Sequence, residues 1–205
     1  MLRGILFDMR CSVFRAAALA LPFLLLLLSG LPAQQYLPRP VYPPGIAWMQ
    51  IPSEHYTLLF PRGYEEEARR AAAILEVYRE PVASDLGAET GRYTVVLNTG
   101  RAEANGYVTL APRYSEWYAY APPRGFAGPV DWYTLLALHE GRHMAQFNYL
   151  NRGFNRFAGT LGGELGLLLF SSLSVPGWFW EGDAILAETL FSAGGRGRSA
   201  DFHRR

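Results

Sequence analysis

Apolar and polar positions change period several times along the chain, and each change marks an element. "HYTLLF" (55–60) and "RYTVVLNT" (92–99) are short β-rich runs bounded by turn residues, so both read as strands. Between them, "YEEEARRAAAILEVYREPVASDLG" (64–87) has acids in its first turn and Ala72, Ile74, Leu75 and Tyr78 on one side. This is a helix that Pro81 ends or kinks. "NGYVTLAPRYSEWYAYAPP" (105–123) reads as a strand or a broken hairpin. Asp131 then caps a long helix from Trp132 to about Tyr149, which "NRG" (151–153) stops. A Gly- and Leu-rich segment runs to Val175, and Pro176-Gly177 introduces a last helix, "WFWEGDAILAETLF". No internal repeat interrupts this order of strand, helix, strands and helices, so the expected class is α+β.

The N-terminus follows another rule. Arg3, Arg10 and Arg15 precede "AAALALPFLLLLL", and "SGLPAQQ" follows, the layout of a secretory leader over residues 1–33. Met9 is an alternative start. The apolar core is shorter than the ~20 residues that span a bilayer, which favours a cleaved leader over a membrane anchor. The mature chain is therefore expected to be exported, periplasmic or extracellular, touching a membrane only through an uncleaved leader. Residues 34–50 are proline-rich and read as an extended linker, and residues 51–205 form the domain.

Composition narrows the chemistry. Half the chain is hydrophobic and 18% is charged, as in a folded globular protein, and a net charge of +1 gives no nucleic-acid footprint. The single cysteine, Cys11, lies in the leader, so disulfides, cysteine-ligated metals and a cysteine nucleophile are excluded from the mature chain. Without residues 1–33 the chain carries 16 basic and 17 acidic residues and is close to neutral.

The chain has four histidines, and two of them lie four apart in "HEGRH" (139–143). Positions 132, 136, 139, 143, 147 and 150 share one stripe of the long helix, so His139 and His143 project the same way beside large apolar residues. Two imidazoles at this spacing can bind one Zn2+, with Glu140 one step round the helix, placed to take a proton from an activated water. A tetrahedral zinc site needs a third protein ligand. Gln146 and Tyr149 stand where an extended metzincin pattern has Gly and His, which excludes that class. The downstream candidates are Glu164, Glu181, Asp183, Glu188, Asp201 and His203. Glu181 stands out because its tryptophan- and aliphatic-rich surroundings predict burial, and a buried carboxylate needs a cation. Glu188 lies seven residues on, nearly two helical turns. It either holds a ligand histidine from behind or is a solvated helix carboxylate.

"HEGRH" followed by "PGWFWEGDAILAE" resembles the gluzincin, or peptidase MA-like, pattern of HExxH and a later W-x-x-E-G-x-A helix. Closer still, the chain resembles exported bacterial proteins that carry such a domain ahead of TolB-like β-propeller repeats, over roughly residues 40–205. The resemblance implies a zincin-like fold: a small N-terminal mixed sheet with helices, then a zinc helix and a later helix carrying the glutamate. It also implies His139, His143 and Glu181 as zinc ligands, Glu140 as catalytic acid/base, and a peptide or protein substrate. Gly141 departs from the bulkier residue expected there. No propeller follows, so the domain is expected to be incomplete at its C-terminus.

Candidates for a second carbonyl stabiliser are Tyr149, Arg142 and His203. Tyr114, Glu116, Tyr118 and Tyr120 either line a cleft or belong to an ordinary aromatic strand. "GELGLLLFSSLSV" (163–175) reads as core rather than membrane-surface helix, and "GGRGRSADFHRR" (194–205) as a flexible terminus. The competing functional reading is a non-catalytic envelope scaffold or binding module that keeps the fold.

Overall fold

The computed structural model describes residues 42–123, 126 and 128–199. The leader, residues 34–41 of the linker, Asp201 and His203 lie outside the described residues. Five strands form one mixed sheet in the order β1-β2-β3-β5-β4: β1 (Trp48–Pro52), β2 (Tyr56–Pro61), β3 (Tyr93–Asn98), β4 (Gly106–Leu110) and β5 (Arg113–Tyr118). The pairs β1–β2 and β4–β5 are antiparallel, whereas β2–β3 and β3–β5 are parallel. With its helices the chain is α+β. Trp48–Gln50, assigned to the linker by their proline-rich neighbourhood, instead open β1 and pair with Leu59–Pro61.

Helix α1 (Glu65–Tyr78) makes the crossover between the parallel strands β2 and β3. Glu65, Glu66 and Glu67 in its first turn suit the positive end of the helix dipole, and Ala68, Ala71, Ala72 and Leu75 face the core. That core joins them to Leu58, Phe60, Val95, Leu97 and Trp117 of the sheet and to Leu136, Ala137 and Met144 of α2 (Trp132–Leu150). As the sequence predicts, Asp131 caps α2, its side chain accepting from the Thr134 N–H.

The α1 crossover is pinned to the β1–β2 connection by Glu76, whose carboxylate accepts from Ser53 Oγ (2.7 Å), the His55 N–H (2.8 Å) and His55 Nδ1 (2.9 Å). Burial opposes the Glu76 charge, but the bonds from Ser53 and His55 outweigh it and hold the carboxyl below its usual range. A carboxyl whose pKa falls on folding stabilises the fold above its unfolded value and loses that contribution as pH drops. Glu76→Gln is expected to cost about 2 kcal/mol in urea unfolding at neutral pH, and the difference from the parent should shrink progressively as pH falls below about 4.

Of the two readings of residues 105–123, the structure has the hairpin, with β4 and β5 joined across a cis Ala111-Pro112 peptide. Helix α3 (Gly153–Ser174) departs from the sequence reading, because it is not core: only Ala158, Leu167 and Ser171 are buried. Gly163 takes φ 60° and ψ −151°, a backbone state that glycine tolerates, and there the helix folds back on itself. Phe154 packs on Phe170, Ser174 Oγ lies 3.4 Å from Asn155 Oδ1, and Gly166 passes close to the Ala158 carbonyl. The result is an antiparallel helical hairpin joining α2 to α4 (Gly177–Leu190).

Candidate metal centre

Helix α2 packs on α1, α4 and β4, so from Tyr133 to Gln146 it is buried almost all round rather than along one stripe. His139 and His143 lie on the side that meets α4. Their rings sit 4.7 Å apart edge to face, with the two Nε2 atoms 3.2 Å from each other. From α4, Glu181 places Oε2 3.3 Å from His139 Nε2 and Oε1 3.5 Å from His143 Nε2. One donor atom from each of the three lies within 4.8 Å of the others.

Two further contacts define what these nitrogens present. His143 Nδ1 lies 2.8 Å from Gln146 Oε1, whose amide nitrogen is committed to Asp183 Oδ2 (2.6 Å) and the Trp180 carbonyl (3.2 Å). His139 Nδ1 lies 2.7 Å from Oε1 of the fully buried Glu188. Arg196 Nη2 is also close to that nitrogen, at 2.6 Å, but it donates to Glu188 Oε1 as well. A carboxylate only accepts, so we assign the proton to His139 Nδ1. Each imidazole thus holds an oxygen behind it through Nδ1 and directs Nε2 to the centre, where a metal would take its lone pair.

Two Nε2 atoms 3.2 Å apart beside a carboxylate suit a cation, whether a shared proton or a metal ion. Zinc bonds of about 2.0–2.1 Å in a tetrahedron put donor atoms about 3.3–3.4 Å apart, close to the separations present here. Two imidazoles and one carboxylate also suit zinc better than calcium or magnesium, which favour oxygen ligands.

In the absence of a metal the same negative charge attracts a proton. Burial works against a charged His139, yet Glu181 and Glu188 outweigh it and push its pKa up to about 9, so a metal would displace the proton from Nε2. Bonds from His139 and His143 hold the Glu181 carboxyl far below its usual range. For Glu188, burial is outweighed by His139 and Arg196, so it too stays ionised. Glu140 is the opposite case: burial drives it up against the pull of His139 and His143. Its Oε2 is buried without a partner, and its Oε1 faces Gly106 of β4, where an added Cβ would lie 2.9 Å away.

Several candidates are corrected. Glu181 is not buried among tryptophans: its side chain is 61% exposed, and the imidazoles rather than a covered helix end compensate its charge. Glu188 takes the supporting role rather than the solvated one. Glu164 accepts from the Arg113 N–H on the β4–β5 turn. Asp183 is taken by Arg142 and Gln146. Arg142 cannot stabilise a carbonyl oxygen, because it binds Asp85, Asp183 and the Val82 carbonyl (2.9 Å) and is almost fully buried. Tyr149 lies near the far end of α2 under Arg152, about 9 Å along the axis from His143 at 1.5 Å per residue. Glu116 and Tyr118 are fully buried on the inner strand β5, with Glu116 accepting from Asn98 and Tyr107, so they line no cleft. Gly141 is explained by Val82, whose Cγ2 would lie 3.3 Å from an added Cβ.

Gln146 and Arg196 escaped the sequence reading. Gln146 had a usable signal, three residues after His143 on the same helix face. Arg196 had none. Its segment, expected to be a flexible end, is a short helical turn (Arg196–Arg198) whose Arg196 N–H also donates to Glu188 (3.1 Å).

Arg142 joins three elements and gives a test of the scaffold. Arg142→Met leaves Asp183 without its cationic partner and is expected to cost about 3 kcal/mol in urea unfolding, as for other broken buried pairs.

No protein family, characterised protein or solved structure matches this chain.

Proposed function

We propose that the protein is an exported zinc-dependent peptidase with a zincin-like, gluzincin-type domain. The observation that carries this reading is the convergence of His139, His143 and Glu181 around one point, with both Nδ1 atoms tied to oxygens. These three residues would hold the zinc. When bound, the ion supplies Lewis acidity to a water and to the scissile carbonyl.

The remaining chemistry belongs to the chain. Glu140 takes the proton of the attacking water and returns it to the leaving amine. Its burial favours that role by raising its affinity for a proton. Glu188, held ionised by Arg196, orients His139, and Gln146 orients His143. Among the described residues β4 pairs with β5 alone, so its outer edge suits an extended peptide. Gly106 on that strand sets the peptide path beside Glu140, where a side chain would collide with Leu136 and the carboxylate. A non-catalytic scaffold would leave the buried, unpartnered Glu140 oxygen without a purpose.

The test is hydrolysis of an unstructured protein such as casein. Cleavage should stop when a chelator removes the metal and resume when zinc is restored. Folded, zinc-loaded protein that cleaves nothing in a broad peptide mixture would overturn the peptidase reading.

A further inference from the structure

The α3 hairpin leaves much of its apolar surface uncovered. Its arms approach closely where Gly166 meets the Ala158 backbone and Gly159 meets Leu167, and Phe154 packs on Phe170 beside that seam, while Phe157, Leu161 (74% exposed), Leu165 and Leu173 point outward. A close backbone approach at small residues, with large apolar side chains turned outward, is a feature of helices packed in hydrocarbon surroundings. Phe154, Phe157 and Leu161 fall on one helical stripe of the first arm, and Leu165 and Leu173 lie two turns apart on the second.

The polar groups of the hairpin are compatible with such a setting. The exposed hydroxyls of Thr160, Ser172 and Ser174 each donate to the carbonyl four residues earlier, at 2.9, 2.8 and 2.7 Å. Such bonds, which Thr189 and Ser192 also make at the C-terminal end of α4, let a hydroxyl enter an apolar boundary without losing its partner. Charge completes the pattern. The exposed Arg156 follows Phe154 and precedes Phe157 on the first arm, Arg152 at its start is held by the Gly87 carbonyl, and the hairpin's one acid, Glu164, is drawn to the Arg113 N–H. Basic residues at the rim of an apolar face complement anionic headgroups. The helix is long and apolar enough to cross a bilayer unbent, but Gly163 divides it into arms of roughly 15 Å, about half the ~30 Å hydrocarbon core.

We propose that the outer face of the α3 hairpin docks on a membrane, lying in the boundary between headgroups and acyl chains of an anionic bilayer without crossing it. The test uses the full chain with Cys11→Ser, labelled with an environment-sensitive fluorophore at Leu161→Cys, at Phe157→Cys as a second position, or at Val77→Cys on α1 as a water-exposed control. On phosphatidylethanolamine–phosphatidylglycerol vesicles, labels at 161 and 157 should shift to the blue and lose quenching by aqueous iodide, while the label at 77 stays water-like. Labels at 161 and 157 that remain water-like on the vesicle-bound chain would overturn the proposal, as would failure to bind. So would a blue shift that appears without vesicles and grows with protein concentration, because it would assign the face to a second copy of the chain.

Discussion

Glu140→Gln is expected to lower kcat/KM for peptide hydrolysis by about 10²–10⁴-fold while the zinc stays bound. The amide fills the same space beside Gly106 and Leu136 but cannot take a proton. Since Glu140 makes no ligand contact, the three donors on α2 and α4 are left as they were. Steady-state kinetics on zinc-loaded protein, with metal content measured on the same sample, checks both halves. An unchanged rate would remove Glu140 from the chemistry, and a lost metal would mean that it supports the ligands instead.

Glu181→Ala is expected to act on the other half of the site, weakening zinc by at least about 100-fold, the upper range for residues that only support ligands. With the carboxylate gone, two imidazoles on one helix are left to hold the ion. Glu181 is largely exposed and its neighbours in the first turn of α4 are solvent-facing, so the fold should survive. Glu188→Gln makes a useful contrast: it keeps an oxygen acceptor for His139 Nδ1 but loses the charge that Arg196 neutralises, so its effect on affinity should be smaller. Competition with a chromophoric chelator ranks the three proteins. Equal affinity for parent and Glu181→Ala would place the third ligand elsewhere.

Local signals carried most of the fold. The acidic first turn of α1, the Asp131 cap and the β-rich runs around 55–60 and 92–99 each encode an element through short-range physics, and each formed where expected. The α+β class followed from their order. The spacing of His139 and His143 was equally local, because one helix fixes it. Glu181 was found for a partly wrong reason: burial was expected, and the side chain is exposed and held by charge.

What escaped was long-range or depended on packing density. Nothing near Arg196 announces that it closes on Glu188, eight residues back, and Gly106 became meaningful only once β4 lay against α2. The α3 segment misled because its composition fits a buried helix, whereas the bend at Gly163 folds it into a hairpin that leaves most of it at the surface.

The most direct measurement of the central claim is the zinc content and coordination of the purified chain, by elemental analysis and X-ray absorption. The expected result is one zinc per chain, with two imidazole nitrogens and a carboxylate oxygen at about 2.0–2.2 Å and the signal abolished in His143→Ala. A well-folded chain that takes up no zinc, or that binds it equally well without His143, would contradict the account.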